Sequence, residues 1–346
     1  MAENPAIAIV GLGAMFPEAP NLAKYWLNVQ AGVDAIRDVP KTRWDSVYYD
    51  PQSSAPDRVY CRRGGFISDN TPFDALAYGI MPVAAQGAEP DQLLALEVAA
   101  KALADAGYGD RPYARERAGV ILGRGGYLTP GMARLTQYVR TAQELVECLR
   151  ALLPELDEAR LAAIKKDFQS RLRAGRPDTS IGLVPNLAAS RIANRLDLGG
   201  PAYTVDAACA SSLVAVDHAV RELTVRNLDL VIAGGVHICH DITFWSVFSQ
   251  LGALSRSEQI RPFDRRADGL LIGEGVGMVV LKRLGDAERD DDRIYAVIRG
   301  TGVASDGRES SLMNPRVDGQ VRALERAWTA AGVDPGTVGL IEAHGT

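Results

Sequence analysis

Tyr203-Thr204-Val205-Asp206-Ala207-Ala208-Cys209-Ala210-Ser211-Ser212-Leu213 is the stretch on which both the fold and the chemistry turn. Tyr203 to Asp206 has β character. Small residues follow, and a helix-type stretch begins near Ala210. A strand that enters a helix through a sharp turn of small residues is a unit of α/β architecture. Cys209 stands at the junction. A thiol there faces the unpaired N–H groups and the positive dipole end of the helix, and both favour the thiolate. The arrangement matches a nucleophile elbow with Cys in place of Ser. The competing reading is a structural cysteine that packs as a small hydrophobe.

The segments on either side have the same organisation. Ala6-Ile7-Ala8-Ile9-Val10-Gly11 is a continuous apolar run and predicts a buried parallel strand. Gly119 to Gly123, Leu228 to Gly235 and Gly277 to Leu281 predict further strands. Helices are expected over Asn21 to Val29, Asp91 to Ala106 and Asn186 to Asn194. Gly32 to Pro72 reads as a long irregular excursion. Between 124 and 176, Leu145, Leu149, Leu152 and Leu153 are spaced for a helix until Pro154. Leu161, Ile164, Phe168 and Leu172 resume the pattern. Two packed surface helices are the plain reading, and a cap or dimer contact beside a pocket is the functional one.

Asp286 to Arg293 is a charge run, read as a solvated connection and as the boundary between two parts, 1–287 and 294–346. Ile294 to Gly302 is a strand followed by Gly-x-Gly, which echoes Ile7 to Gly13. A helix over Gly319 to Ala331 and a strand over Gly339 to Ala343 follow. Alternating strands and helices predict mostly parallel, doubly covered sheets.

Composition removes several classes of function. A length of 346 residues allows roughly two domains. The net charge of -5 gives no basic face for nucleic acid. Cys61, Cys148, Cys209 and Cys239 are scattered without a CxxC pair, so neither a metal site nor a disulfide framework is indicated. The default compartment is a reducing cytoplasm. The first residues do not read as a signal peptide, and no apolar stretch approaches the ~20 residues of a membrane span.

A thiol nucleophile needs a partner. His218 lies more than two turns into the helix after Cys209 and reads as structural. His237 and His240 follow a strand and could line a cleft or sit in a loop. His344, in Glu342-Ala343-His344-Gly345-Thr346, stands at the carboxyl end of an expected strand, the edge at which open α/β sheets bind ligands. It is the best candidate partner for Cys209. Gly11-Leu12-Gly13 lacks the third glycine of a dinucleotide fingerprint, and Phe16-Pro17 breaks the helix that would cradle a pyrophosphate. Gly273-Glu274-Gly275-Val276-Gly277 precedes an apolar strand and is no phosphate loop. Its glycines suit close backbone approach, and Glu274 suits holding a loop by hydrogen bonds.

Four motifs occur in order: Asp206 to Ser212, Arg261-Pro262-Phe263-Asp264, Asp268-Gly269 with Gly273 to Gly277, and Glu342 to Thr346. Together they resemble the β-ketoacyl synthases, the condensing enzymes of fatty-acid and polyketide synthesis. The opening Ile7 to Gly11 also fits. Tyr60 to Phe66, Ser190 to Gly200 and Ala304 to Arg308 resemble ketosynthase domains of type I polyketide and polyunsaturated-fatty-acid synthases.

The resemblance implies a thiolase-like α/β fold, layered α-β-α-β-α from two similar halves, and a homodimer. It implies that Cys209 takes an acyl group from the phosphopantetheine of an acyl carrier protein. His344 would assist decarboxylation of a malonyl unit, whose enolate attacks the acyl group. No tightly bound cofactor is expected. The family also uses a second histidine with a nearby lysine, and a glycine-rich loop, all downstream of the first histidine. Neither motif occurs here, so the second half is expected to be incomplete and these residues inactive in elongation on their own. Two other readings stay open: a non-elongating acyltransferase of the same fold, and a non-catalytic fragment for dimerisation or carrier docking.

Overall fold

A computed structural model describes residues 6–126, 129–172, 182–238, 241–308 and 315–346. Nine strands are present among them. They are β1 (Ile7–Met15), β2 (Ile36–Asp38), β3 (Arg63–Gly65), β4 (Ala118–Gly123), β5 (Ala202–Val205), β6 (Leu230–His237), β7 (Ile272–Gly273), β8 (Gly275–Arg283) and β9 (Ala296–Ile298). The main sheet has the order β5-β4-β6-β8-β1-β9, and a small one has the order β2-β3-β7.

The main sheet is covered on both faces, and the alternation along each strand shows how. Val120 and Leu122 of β4, and Ile232 of β6, point to one face. There they join Leu96, Val98 and Ala99 of a helix over Pro90–Asp105 and Ala188, Ala189 and Ile192 of a helix over Leu187–Leu196. Ile121, Val231 and Ala233 point to the other face, against Ala215, Ala219 and Leu223 of a helix over Ser211–Thr224. All these side chains lie in the core. Fully burying each large aliphatic one contributes about 1.5–3 kcal/mol.

The sheet departs from the parallel expectation. β4 runs parallel to β5 and β6, but β6–β8, β8–β1 and β1–β9 are antiparallel. The apolar run at Ile7 reports burial on both faces. Strand direction is set by the connections, which that run does not encode. The expected strand over 339–343 is not formed: residues 338–346 belong to no ladder, and Leu340, Ile341 and His344 are exposed. A strand needs a neighbour to take its hydrogen bonds, and among the described residues none lies alongside.

The charge run is also not a solvated link. A short helix spans Leu284–Arg289, and the Asp292 side chain is completely buried. Lys282 donates to Asp292 (2.5 Å), Asp290 (2.7 Å) and the Tyr108 hydroxyl (2.6 Å), and Arg111 pairs with Asp292. The excursion over 32–72 is less irregular than expected, since it supplies β2 and β3 to the small sheet.

Between 130 and 172 the two expected helices are present. A helix over Ala142–Leu152 ends just before Pro154 and packs on a second over Glu158–Arg171, with Ala142, Val146 and Leu161 buried. Arg150 joins them through Glu147 and Glu158.

Candidate active site

β5 ends at Val205 and the next helix starts at Ser211. Between them the chain reverses within a few residues, and Ala208 has a φ of 50°. An L-residue with a Cβ meets the following carbonyl in that region, at a cost of roughly 1–2 kcal/mol. Local hydrogen bonds hold the strained turn. Ser211 Oγ accepts the Ala207 N–H (2.8 Å) and donates to the Ala208 carbonyl (2.6 Å). Asp206 Oδ1 accepts the Ala208 N–H (3.0 Å), and its Oδ2 accepts the Gly126 N–H (2.7 Å). The aspartate therefore ties the elbow to the loop after β4. Cys209 is left exposed at the apex, one residue before Ala210, the N-cap.

Two glycines let neighbouring strands reach the elbow. A methyl on Gly123 at the end of β4 would stand 2.6 Å from Ser212 N, and one on Gly235 in β6 would stand 2.8 Å from Ser212 Cβ. The carboxyl ends of β4, β5 and β6 thus converge on the start of one helix. A cavity of about 650 Å³ opens there, with Cys209, Ser211 and Ser212 on one side.

The other walls come from distant parts of the chain. Phe16 follows β1. Phe244 and Phe248 come from a helix over Ile242–Gln250, with ring centroids 4.8 Å apart. Gly273, Glu274 and Gly275 close a further side. The walls are largely aromatic and glycine backbone. Of the charged side chains, Arg124 is buried and donates to Asp91 (2.6 Å), and Glu274 is buried against Arg43.

His237, at the end of β6, lines the same cavity, with its ring centroid 4.9 Å from that of Phe244. Burial lowers its pKa, and the Asp91 charge opposes that shift without reversing it. His218 faces Tyr203 instead, with Nδ1 3.4 Å from the hydroxyl, which is the structural role expected of it. His240 and Cys239 lie outside the described residues. His344 is exposed and is not part of the cavity wall; Gly345 next to it lies beside Pro262, so the last motif meets the Arg261-Pro262-Phe263-Asp264 motif.

The two glycine pairs have packing roles. A methyl on Gly13 would stand 2.5 Å from the Val98 carbonyl, and one on Gly11 would meet the Ala102 carbonyl. Gly300 and Gly302 meet Ala327 and Ala323 of a helix over Val317–Ala331 in the same way. The Gly-x-Gly at 11–13 serves close helix-on-strand approach.

Reasoning from sequence overlooked Arg124, Phe16, Phe244 and Phe248 as wall residues. Arg124 carried a usable signal: it directly follows an apolar strand, at the edge where α/β sheets bind ligands. The three phenylalanines carried none, because an aromatic in a core and one on a cavity wall have the same local pattern.

The pattern described as "Beta-ketoacyl synthase, N-terminal domain" matches residues 4–287, and "Beta-ketoacyl synthase, C-terminal domain" matches residues 295–346. The chain belongs to the β-ketoacyl synthase family. It is 36% identical over 344 residues to a polyunsaturated fatty acid synthase polypeptide of Thraustochytrium sp., covering 98% of this chain and 12% of that protein. It is also 36% identical over 342 residues to polyketide synthase PksN of Bacillus subtilis, covering 98% of this chain and 6% of that protein.

Among solved structures, the oxazolomycin ketosynthase domain of Streptomyces albus superimposes with a TM-score of 0.80 at 30% identity, covering 99% of this chain and 53% of that one. The ketosynthase from module 6 of the bacillaene synthase of Bacillus subtilis gives 0.77 at 31%, covering 99% and 51%. The thiolase-like fold expected from the motifs is therefore the fold of this ketosynthase chain. The chain spans about half of those solved chains and a small fraction of the curated relatives. Among the described residues no helix is long and apolar enough to cross a membrane.

Proposed function

We propose that these residues carry the acyl-loading centre of a β-ketoacyl synthase, with Cys209 as the nucleophile. The observation that carries the reading is the exposed Cys209 on a strained elbow, one residue before the N-cap of a helix, opening onto a largely apolar cavity. Residues up to 287 form the nucleophile-bearing part, and those from 294 open a second part.

The chemistry follows from the groups present. The Cys209 thiolate attacks the thioester of an acyl chain on the phosphopantetheine of an acyl carrier protein. A new S–C bond forms, and the carrier thiol leaves with a proton. The backbone N–H of Cys209 would serve as an oxyanion donor for the negative charge that develops on the acyl oxygen. A malonyl carrier then loses CO₂. By the family resemblance His344 is the residue to support the resulting enolate, although it lies outside the Cys209 cavity wall here; the enolate attacks the Cys209 acyl carbonyl and expels the thiolate, giving a 3-oxoacyl carrier. No step calls for a tightly bound cofactor. The resemblance to type I polyketide and polyunsaturated-fatty-acid synthases supports a carrier protein as partner, a homodimer and a cytoplasmic setting.

The test is incubation with an acyl thioester, followed by peptide mass spectrometry. An acyl mass on the Cys209 peptide that disappears in Cys209→Ala supports the reading. An adduct that persists in Cys209→Ala sinks it.

A further inference from the structure

The wall facing Cys209 bears on which acyl chains it holds, and this inference rests on the loading role just proposed. β6 ends on Gly235, Val236 and His237. Side chains two apart on a strand share a face. His237 therefore projects to the same side as Gly235, whose own Cβ position points at Ser212 beside the elbow. His237 and Cys209 line one cavity.

The imidazole leans on Phe244 at 49°. Burial holds its pKa down and favours the neutral ring. A neutral imidazole offers one N–H donor and one lone pair. The wall around it is mostly aromatic ring and glycine, and the Arg124 guanidinium is engaged with Asp91. A saturated hydrocarbon chain filling this space would displace water from the imidazole and return no hydrogen bond. That loss is a penalty for a half-buried polar group whose one open side is the cavity. A chain bearing an oxygen would return the bond.

We propose that His237 selects, for transfer to Cys209, acyl chains that carry a hydroxyl or carbonyl oxygen close to the thioester over fully saturated hydrocarbon chains. His237 touches the chain and sets the preference. The bonds made and broken are those of the thioester exchange itself.

The test uses the full-length polypeptide that contains these residues. Rates of Cys209 acylation are read by peptide mass spectrometry with 3-hydroxybutyryl and butyryl N-acetylcysteamine thioesters. The hydroxylated probe is expected to load about tenfold faster, the effect of one hydrogen bond of ordinary strength. His237→Phe, which fills the space without a donor or acceptor, is expected to bring the ratio towards one. His237→Gln is expected to keep part of it, and it serves as the second variant if the phenylalanine one does not fold. Equal rates in the unsubstituted protein, or an undiminished ratio in His237→Phe, would overturn the selection role alone. Failure of both probes to acylate Cys209 would overturn the loading role as well.

Discussion

Arg43 holds Glu274 in a buried two-point pair, with Nε and Nη2 each 3.1 Å from a different carboxylate oxygen. The two residues are 231 positions apart in sequence. The same carboxylate accepts the Ile67 N–H (2.8 Å), and Arg43 Nη2 also donates to the Ile67 carbonyl (3.1 Å). Arg43 reaches Asp69 too. One ion pair thus ties the excursion after the first helix to the turn between β7 and β8, which forms a cavity wall. The expectation that Glu274 holds a loop by hydrogen bonds describes this arrangement.

Breaking that pair from one side leaves a buried charge without its partner, which costs about 3–5 kcal/mol. Arg43→Met is expected to destabilise the fold by about that much in urea unfolding, and Glu274→Gln by less, because Arg43 keeps its pairing with Asp69. The double variant is expected to lose less than the sum, because both single variants remove the same Arg43–Glu274 contact. Strictly additive losses would show that the pair does not act as a unit.

The elbow makes a prediction at Ala208, whose φ of 50° suits glycine better than any residue with a Cβ. Ala208→Gly removes strain of roughly 1–2 kcal/mol and adds unfolded-chain entropy of about half that size. It should be neutral to slightly stabilising. Ala208→Val brings a β-branched side chain into the same conformation and should cost more than about 2 kcal/mol. Equal stability of the Gly and Val variants would contradict the elbow geometry.

Much of the site could be read from sequence because it depends on local order. The strand, the small-residue turn and the helix around Cys209 are consecutive, so their pattern survives in one dimension. The echo between Ile7 to Gly13 and Ile294 to Gly302 was legible for a similar reason. Each Gly-x-Gly marks a close helix approach, Val98 and Ala102 over Gly13 and Gly11 on β1, Ala323 and Ala327 over Gly302 and Gly300 just after β9.

Strand direction was not legible. An apolar run such as Ile7 to Val10 looks the same beside a parallel or an antiparallel neighbour. Nor was the fate of Asp292. A run of acids suggests water, and only the arrival of Lys282, Tyr108 and Arg111 from elsewhere offsets the cost of burial. His344 could be placed on a motif but not beside Cys209, since its expected strand depends on neighbours that residues 338–346 do not have among the described residues.

The paired glycines can be tested directly. Gly13→Ala and Gly302→Ala each push a methyl into a helix carbonyl, and backbone on both sides limits relief. Each should cost about 1–3 kcal/mol by overpacking. Gly285→Ala, where a Cβ meets nothing within 4 Å, is the matched control and should shift stability little. A neutral Gly13→Ala would remove the packing account of that motif.

The thiols make the last prediction, and it separates the nucleophile from a structural cysteine. Cys148 and Cys209 are exposed, whereas Cys61 is fully buried in a cluster with Trp44, Phe66 and Trp245. Burial pushes the Cys61 thiol up to about 11, and the weak contact of its Sγ with the Arg63 carbonyl does not offset that. Iodoacetamide at pH 8, with adducts mapped by peptide, should mark Cys148 and Cys209 in the folded protein. Cys61 should be marked only after unfolding, because the reagent needs both access and a thiolate.

The same burial fixes a pH dependence. A thiol whose folded pKa lies above its unfolded value of about 8.5 keeps its proton longer when folded. Its contribution to stability is whole below about pH 8.5 and is lost as the pH rises towards 11. Unfolding free energy should therefore fall more steeply over that range in the unsubstituted protein than in Cys61→Ala. The difference between the two curves removes the tyrosines, which titrate in both. Parallel curves, or alkylation of Cys61 at the rate of Cys148, would show that Cys61 is not the sequestered thiol described and would end the contrast that sets Cys209 apart.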